Sequence, residues 1–594
     1  MKKKHKSNNT VISMMFWSAF ITSAIIEFAA VGSGLIDGLV ISKMLGPDSM
    51  AAEGIAHPYF SIAGVISGML MVGMQTMCTS FLARGKVKEM QRIFTFASFV
   101  ALIASTILAF LLGFFSDDVA FLLGARGKAS VLLTDASSYL KGLSFGTIPM
   151  IITVIFSSAV QMDSDNRLVQ IAALSGSATD IVLDIIFANL GYGMFGIGIA
   201  TSLSYVVNLA VLSIHFIRKD NQLKFRFEKI VWRDLLEIAS IGSEKALRRI
   251  TNTIRPVLLN GLIIYAGGAL GMSALSIRNS LGNFAEIPMM GIAGATSLLS
   301  GMSYGEKDKE DCQRVGRLAQ VYIIVYSLIL LIIAFFCSDG IADYYVGDDA
   351  ELHELVKFSI YALAIGILPR TLLSSRTSYL QSTRQVKKCQ ILTFLSNIVV
   401  IAPSSLICVF LWKSRGVIVS FAVADYVLCL MIMGYYYIKR GVGNGLPSVD
   451  EYLSLPVDFE IHPKDIIELD VHNIEEAVLT SEQLQLFCKG HDFDPKRAYK
   501  AALCLEEITK NIIEYGFSKT KNIHEINVRV RLVDNDIVIR IRDHCPKFDL
   551  KERIALLEDE ENSVSNIGIK LVNRTAQNVE YVYVLQTNTV IITL

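Results

Sequence analysis

The sequence predicts an all-α polytopic membrane protein, with twelve transmembrane helices in two parallel six-helix lobes, followed by a small C-terminal α/β sandwich domain. Three observations predict it. The first is composition: of 594 residues, 52% are hydrophobic and only 19% charged, too apolar for an ordinary soluble chain of this size. The second is distribution. From residue 11 to about 437 the apolar residues come in blocks of roughly 20 to 30, the length a helix needs to cross the hydrocarbon core, while the rest of the chain is charged and mixed. The third is an internal repeat.

Taken in order, the spans fall near 11–41, 53–83, 90–114, 132–160, 167–190, 193–217, 235–266, 270–303, 315–337, 353–382, 388–411 and 416–438. The first follows a lysine-rich start and carries no cleavage-site pattern, so it reads as a retained helix. With the N-terminus inside, the inner loops collect Arg84, Lys86, Lys88 and Arg92, then Arg218 to Arg233, then Lys307 to Arg317, then Arg384, Lys387 and Lys388. The outer loops hold few basic residues beside acidic stretches around 339 and 348. This asymmetry predicts both termini in the cytosol of a cell membrane, a bacterial inner membrane in this reading. Net charge is zero, so the total says nothing about nucleic acid or acidic partners and only the placement of charge is informative; no nucleic-acid partner is expected. Nine scattered cysteines without paired spacing read as reduced thiols.

Comparing the apolar region with itself pairs Gly85 with Gly305, Gly146 with Gly366, Pro149 with Pro369, Gln161 with Gln381, Gln170 with Gln390 and Gly196 with Gly416. Every pair has the same offset, 220, the difference between 85 and 305. A repeat of six spans must keep one orientation in the membrane, and it places a cleft between two lobes that can rock about it. The expected segments are residues 1–218 and 219–440 for the lobes, 441–464 for a linker and 465–594 for the soluble domain.

Three stretches, LIDGLVISKMLGP at 35–47, DIVLD at 180–184 and GYGMFGIGIAT at 191–201, in that order along a two-lobe chain, resemble the MATE (multidrug and toxic compound extrusion) family. The resemblance covers roughly residues 11–440. It implies a secondary antiporter exporting small organic compounds in exchange for H+ or Na+. The major facilitator superfamily shares the two-lobe plan, but its loop motif between spans two and three is not visible here.

Ionisable groups at bilayer depth are costly and mark function unless paired. Asp37, Asp180 and Asp184 correspond across the repeat to Val257, Val400 and Ser404, so these acids are not demands of the shared scaffold. Asp180 and Asp184, four apart, share a helix face. Asp37 and Asp184 match acids of the resembled family, whereas Asp180 stands where that family usually has Asn. The three are the expected ion-coupling residues; Glu27, Glu53 and His57 read either as functional or as interfacial. In the second lobe Arg255 lies near the depth of Asp37. Arg255, with Arg278 and Glu286, is the expected substrate cleft, and two readings of the arginine stand: an internal ion pair with Glu286 or Asp37, or a seat for an anionic group.

Beyond 440 the periodicity shortens. A strand is expected at 465–471, helices at 481–488, 496–514 and 567–575, a hairpin across 526–541 and paired strands at 579–585 and 589–594, together a mixed sheet covered by helices. EITKNIIEYG at 507–516, DHCPKFD at 543–549 and SNIGIKL at 565–571 resemble the nucleotide boxes of the histidine-kinase-like ATPase superfamily, nearest its anti-sigma-factor serine kinase branch. The resemblance implies ATP and Mg2+ as cofactors, with Glu507 as catalytic base, Asn511 as metal ligand, Asp543 on the adenine and Gly568 at the phosphates. Cys545 and Asn566 stand where glycine is expected, which limits close approach of the backbone to a nucleotide. Two readings therefore remain: a weak ATP-dependent serine kinase, or a fold kept for contacts with a cytosolic regulatory protein. At the level of the whole chain these become an exporter with a regulatory tail, or a membrane-tethered signalling protein.

Overall fold

The computed structural model describes residues 8–594 except 83, 85, 124–130, 219–220, 228–231, 347–349, 442–464, 520–524, 534–535, 548–571, 573 and 585–586. The apolar region is helical throughout: α1 (Asn8–Val40), α2 (Pro47–Leu82), α3 (Val87–Phe114), α4 (Ser116–Leu123), α5 (Val131–Ser144), α6 (Thr147–Met162), α7 (Asn166–Asn189), α8 (Gly193–Ile217), α9 (Trp232–Gly305), α10 (Lys309–Val346), α11 (Ala350–Ser382), α12 (Val386–Phe394) and α13 (Ile401–Arg440). Among the described residues, eight helices are long and apolar enough to cross a membrane, or nine if a bent pair is one span. That pair, α5 with α6, occupies the span expected at 132–160, which is broken into two helices. It bends by 51° at Gly146, where a Cβ would lie 2.5 Å from the Ser202 backbone; the close approach of α8 requires the glycine.

Two long helices are interrupted where the sequence leaves gaps between spans. Gly268 (φ 55°) breaks α9 and Lys413 (φ 50°) breaks α13. The repeat persists in the backbone. Ser164 and Arg384, equivalent by the sequence offset, both take positive φ (68° and 59°), and each donates its N–H to the carbonyl three residues back, Gln161 and Gln381. Gly193 and Lys413, equivalent by the same offset, share positive φ as well.

The C-terminal domain holds β1 (Ile466–Val471), α14 (Ile474–Lys489), α15 (Pro495–Asn511), β2 (Ile526–Val533), β3 (Asp536–Asp543), β4 (Asn578–Val584) and β5 (Thr587–Thr593). Asn473 and Asp494 cap the two helices through their side chains. The sheet order is β1-β2-β3-β5-β4, and every described pairing is antiparallel. The expected mixed sheet is thus corrected: β2 pairs with β3 and β4 with β5, each the next strand in sequence, and so short a connection permits antiparallel pairing alone. Ile526, Val528, Val530, Ile537, Ile539 and Ile541 form one sheet face, fully buried with Ala501, Leu505 and Ile508 of α15. The helix expected at 567–575 lies largely outside the described residues.

The opposite sheet face carries Arg529, Arg531, Arg540 and Arg542, and it docks on the helical bundle. Arg529 pairs with Asp308, Arg540 with Glu306, and Arg542 with Glu306 at 2.5 Å, while Arg531 donates to the Glu306 carbonyl at 2.6 Å. Arg529 and Arg540 sit directly opposite in the ladder, an arrangement of like charges that is unfavourable alone and is neutralised here by the Glu306–Asp308–Asp311 turn. On the other flank Ser164 of the first half, at 3.5 Å, and Gln222, at 2.8 Å, donate to the Tyr583 carbonyl. Val582 joins the hydrophobic core of the bundle. The domain therefore contacts loops from both halves of the helical region.

Candidate functional site

A polar seam joins α1 to α7. Asn166 donates to Ser18 (2.8 Å), Gln170 to Thr22 (2.9 Å) and Ser177 to the Ala29 carbonyl (2.9 Å); Ser33 then donates to Asp180 at 2.5 Å. These partners recur every turn or two on both helices, as two parallel helices in contact require, and interhelical hydrogen bonds of this kind hold membrane helices together. At the end of the seam stand the three acids. Asp37, Asp180 and Asp184 each place a carboxylate oxygen within 4.8 Å of the others, and Asp184 is fully buried. One oxygen of Asp37, one of Asp180 and both of Asp184 are buried with no hydrogen-bond partner.

Three carboxylates at this separation cannot all stay charged on their own. Two unit charges 4 Å apart repel by about 4 kcal/mol at an effective dielectric near 20, and orphaned buried acceptors call for a further occupant. A proton shared among them, or a small cation between them, satisfies both demands. The second half has the seam without the three-acid cluster, and a single acid, Glu244, stands in it: Gln390 donates to Ser243 (2.7 Å), Thr393 to Glu244 (2.8 Å) and Asn397 to Thr251 (2.8 Å). Just past Asp37, residues Ile41–Leu45 form a π-helical turn closed by Gly46 at φ 101°, a distortion common at functional sites.

Arg255, Arg278 and Glu286 come together as expected, lining one cavity with Arg370, Phe421 and Asp425. Asp37 is not among its walls, so the suggested pair of Arg255 with Asp37 is replaced by a setting with Asp425 and Glu286. Sequence reading passed over Arg370 and Asp425, although each is an ionisable residue inside an apolar block, the same signal that exposed Arg255. It also passed over Ser33 and its neighbours, whose polar side chains recur on one face of α1 and were legible as a stripe.

In the C-terminal domain Glu507 and Asn511 lie on one face of α15, half-buried. The Asn511 amide donates to the Glu507 carbonyl at 2.9 Å, leaving its oxygen for a metal. Asp543, at the end of β3, accepts at one oxygen from Asn588 and from the Cys545 N–H, both at 2.8 Å, and its carboxylate also accepts from the Cys545 thiol. Burial pushes the Asp543 carboxyl up and its hydrogen bonds oppose that, while burial and then Arg542 push His544 down to about 4, so the imidazole is neutral near pH 7. Cys545 is accommodated by a bare partner: a Cβ on Gly516 would lie 2.7 Å from its sulfur. The donor set fits the adenine and metal ends of a nucleotide. Gly568 lies outside the described residues. The second acidic cluster, Glu306 with Asp308 and Asp311, is filled by guanidinium groups rather than open to a metal.

The MatE family matches residues 22–186 and 246–407, and the histidine kinase-like ATPase domain matches residues 472–594. Among curated proteins, the multidrug export protein MepA of Staphylococcus saprophyticus is 22% identical over 410 residues, 68% of this chain and 89% of that protein. MepA of Staphylococcus aureus is likewise 22% identical, over 411 residues with the same coverage. Among solved structures, an outward-facing multidrug resistance MATE family transporter of the MOP superfamily superposes with a TM-score of 0.66 at 22% identity, covering 72% of this chain and 96% of that one. A MOP superfamily transporter from Pyrococcus furiosus, described as having a binding pocket of reverse polarity, superposes at 0.65 and 21% identity, covering 72% and 95%. At these identities the superpositions speak to the fold.

Proposed function

Because the chain belongs to the MATE family and carries a C-terminal histidine-kinase-like ATPase domain, we propose that it is an antiporter exporting small organic compounds in exchange for protons or sodium ions, regulated by that domain. The observation that carries the proposal is the cluster of Asp37, Asp180 and Asp184, close together with orphaned oxygens. A proton or small cation entering the cluster lowers its repulsion and lets α1 close on α7; loss of the ion restores the repulsion and strains the seam. That difference gives the bound ion a preference between two arrangements of the helices, which alternating access requires. The π turn beyond Asp37 is the place where α1 can shift register.

In this reading the chain is a multi-pass membrane protein of twelve spans in two lobes, residues 1–218 and 219–440. The breaks at Gly268 and Lys413 and the bent α5–α6 pair support that count. Residues 441–464 link to the domain at 465–594, which sits in the cytosol. By gripping Glu306 to Asp308 of the second lobe on one side and Ser164 of the first on the other, the docked domain ties the two lobes together and opposes their rocking. Its nucleotide-facing residues, Glu507 and Asn511 on α15 and Asp543 at the end of β3, lie on the helix-covered side and not on the docked sheet face, so binding there can change the grip. ATP, when bound, supplies a charged ligand and a transferable phosphoryl group.

The retained Glu507 and Asn511 favour a second reading, a membrane-tethered serine kinase. Reconstituted full-length chain tests both. Accumulation of an organic compound under an imposed proton or sodium gradient is the expected result; no gradient response together with ATP-dependent phosphorylation of a serine in a partner protein would favour the second.

A further inference from the structure

We infer that the cavity lined by Arg255, Arg278, Arg370, Phe421, Asp425 and Glu286 is a binding site for an amphipathic organic anion. This rests on the exporter reading and names its substrate class. The cavity encloses about 330 Å³, enough for the core of a small aromatic compound. Three guanidinium groups face two carboxylates there, an excess of one positive charge. Arg255 and Arg278 both stack on the Phe421 ring, at 4.6 and 4.0 Å from its centre, and Arg278 Nε is buried with no hydrogen-bond partner. None of the three arginines makes an ion pair with a carboxylate among the described residues.

The neighbouring chamber adds to the excess. It shares Asn252, Glu286 and Arg370 with the first and brings Lys245, Arg248 and Arg249 against Glu27. Arg248 is offset by Glu244 at 3.8 Å, yet the two chambers together remain cationic. Cations fixed inside a membrane bundle are expensive unless something neutralises them. A carboxylate or sulfonate meets that need through forked guanidinium hydrogen bonds. Leu259, Leu275 and Ile367 supply the apolar wall for the rest of the molecule. A cationic compound would instead add its charge to an existing excess.

The test uses full-length chain in proteoliposomes, with fluorescein as the anionic probe and ethidium as the cationic one, binding read by fluorescence anisotropy. Wild type is expected to bind fluorescein more tightly than ethidium. Arg278→Gln and Arg370→Gln should each weaken fluorescein binding roughly tenfold or more, the loss of one charge-assisted hydrogen-bond donor, with Arg278→Lys intermediate. Tighter binding of ethidium by wild type, or unchanged fluorescein affinity in both Gln variants, overturns the inference. Where a variant fails to fold, the wild-type preference between the two probes decides alone. Fluorescein binding with no gradient-driven movement would remove the antiport reading and leave this site standing. Gradient-driven ethidium export without fluorescein binding would do the reverse.

Discussion

At the scale of single residues, the acids differ in how they are held, and that orders their expected effects. Asp180 has one oxygen committed to Ser33, whereas both oxygens of Asp184 are without a partner. Asp180→Asn keeps an acceptor for the serine and should reduce gradient-driven transport modestly; Asp184→Asn should reduce it more, read as initial rates at equal protein in the membrane. Equal rates for the two variants would mean that Ser33 does not set Asp180 apart. In the C-terminal domain, Asn511→Ala should weaken Mg2+-dependent ATP binding about tenfold, while Glu507→Ala should leave binding and abolish any phosphotransfer. Calorimetry on the full chain in nanodiscs checks this, and absent ATP binding in wild type would leave only the scaffold role. Asp37, Asp180 and Asp184 were legible because intramembrane charge is rare. Asp425 and Arg370 were present in the same text but had no repeat partner or motif to draw attention to them. Their meaning comes from a cavity wall built by α9, α11 and α13 together, which no local pattern contains.

At the scale of elements, the β2–β3 hairpin shows what alternation conveys and what it leaves out. Period-2 patterning placed Ile526, Val528, Ile539 and Ile541 on one face, and they pack against α15. Alternation alone does not say whether the arginine face is wet or covered, and a polar face is usually wet. Here it is buried against the Glu306–Asp311 turn, and only the run of one residue type, arginine at 529, 531, 540 and 542, hinted at a docking surface. Removing one partner of a buried ion pair typically costs about 3 to 5 kcal/mol, so Arg540→Ala with Arg542→Ala should undock the domain. Cross-linking between positions 164 and 583, now bridged by a hydrogen bond at 3.5 Å, should fall in that variant while export speeds up; unchanged cross-linking contradicts the docking. The interface also has a pH signature. Burial alone would raise the Glu306 carboxyl, but Arg542, Arg540 and Arg529 hold it below its ordinary 4.5. Its contribution is complete above that value and is lost as pH falls through the lower docked value. Glu468, pushed up by burial and by Asp311, works the other way. Docking should therefore persist at neutral pH and loosen only in acid.

At the scale of the whole molecule, the repeat was legible in six residue pairs and recurs in backbone geometry at Ser164 and Arg384. The bend between α5 and α6 was not, because Gly146 needs it only in the presence of α8. The basic loops predict the orientation: a reporter fused after Gly441 should report a cytosolic position, and an extracellular signal would invert the whole topology. What unites the scales in the proposed mechanism is an ion held by three carboxylates on two helices, whose arrival and departure would change the packing of one lobe. The most direct measurement reconstitutes wild type and Asp37→Asn, loads the vesicles with an organic substrate, and follows its movement with and without imposed proton and sodium gradients. Wild type should accumulate substrate against its own gradient, while Asp37→Asn, fixed in a neutral form, should still exchange labelled for unlabelled substrate but accumulate none. Accumulation by Asp37→Asn at the wild-type rate would contradict the account and move the coupling site away from this cluster.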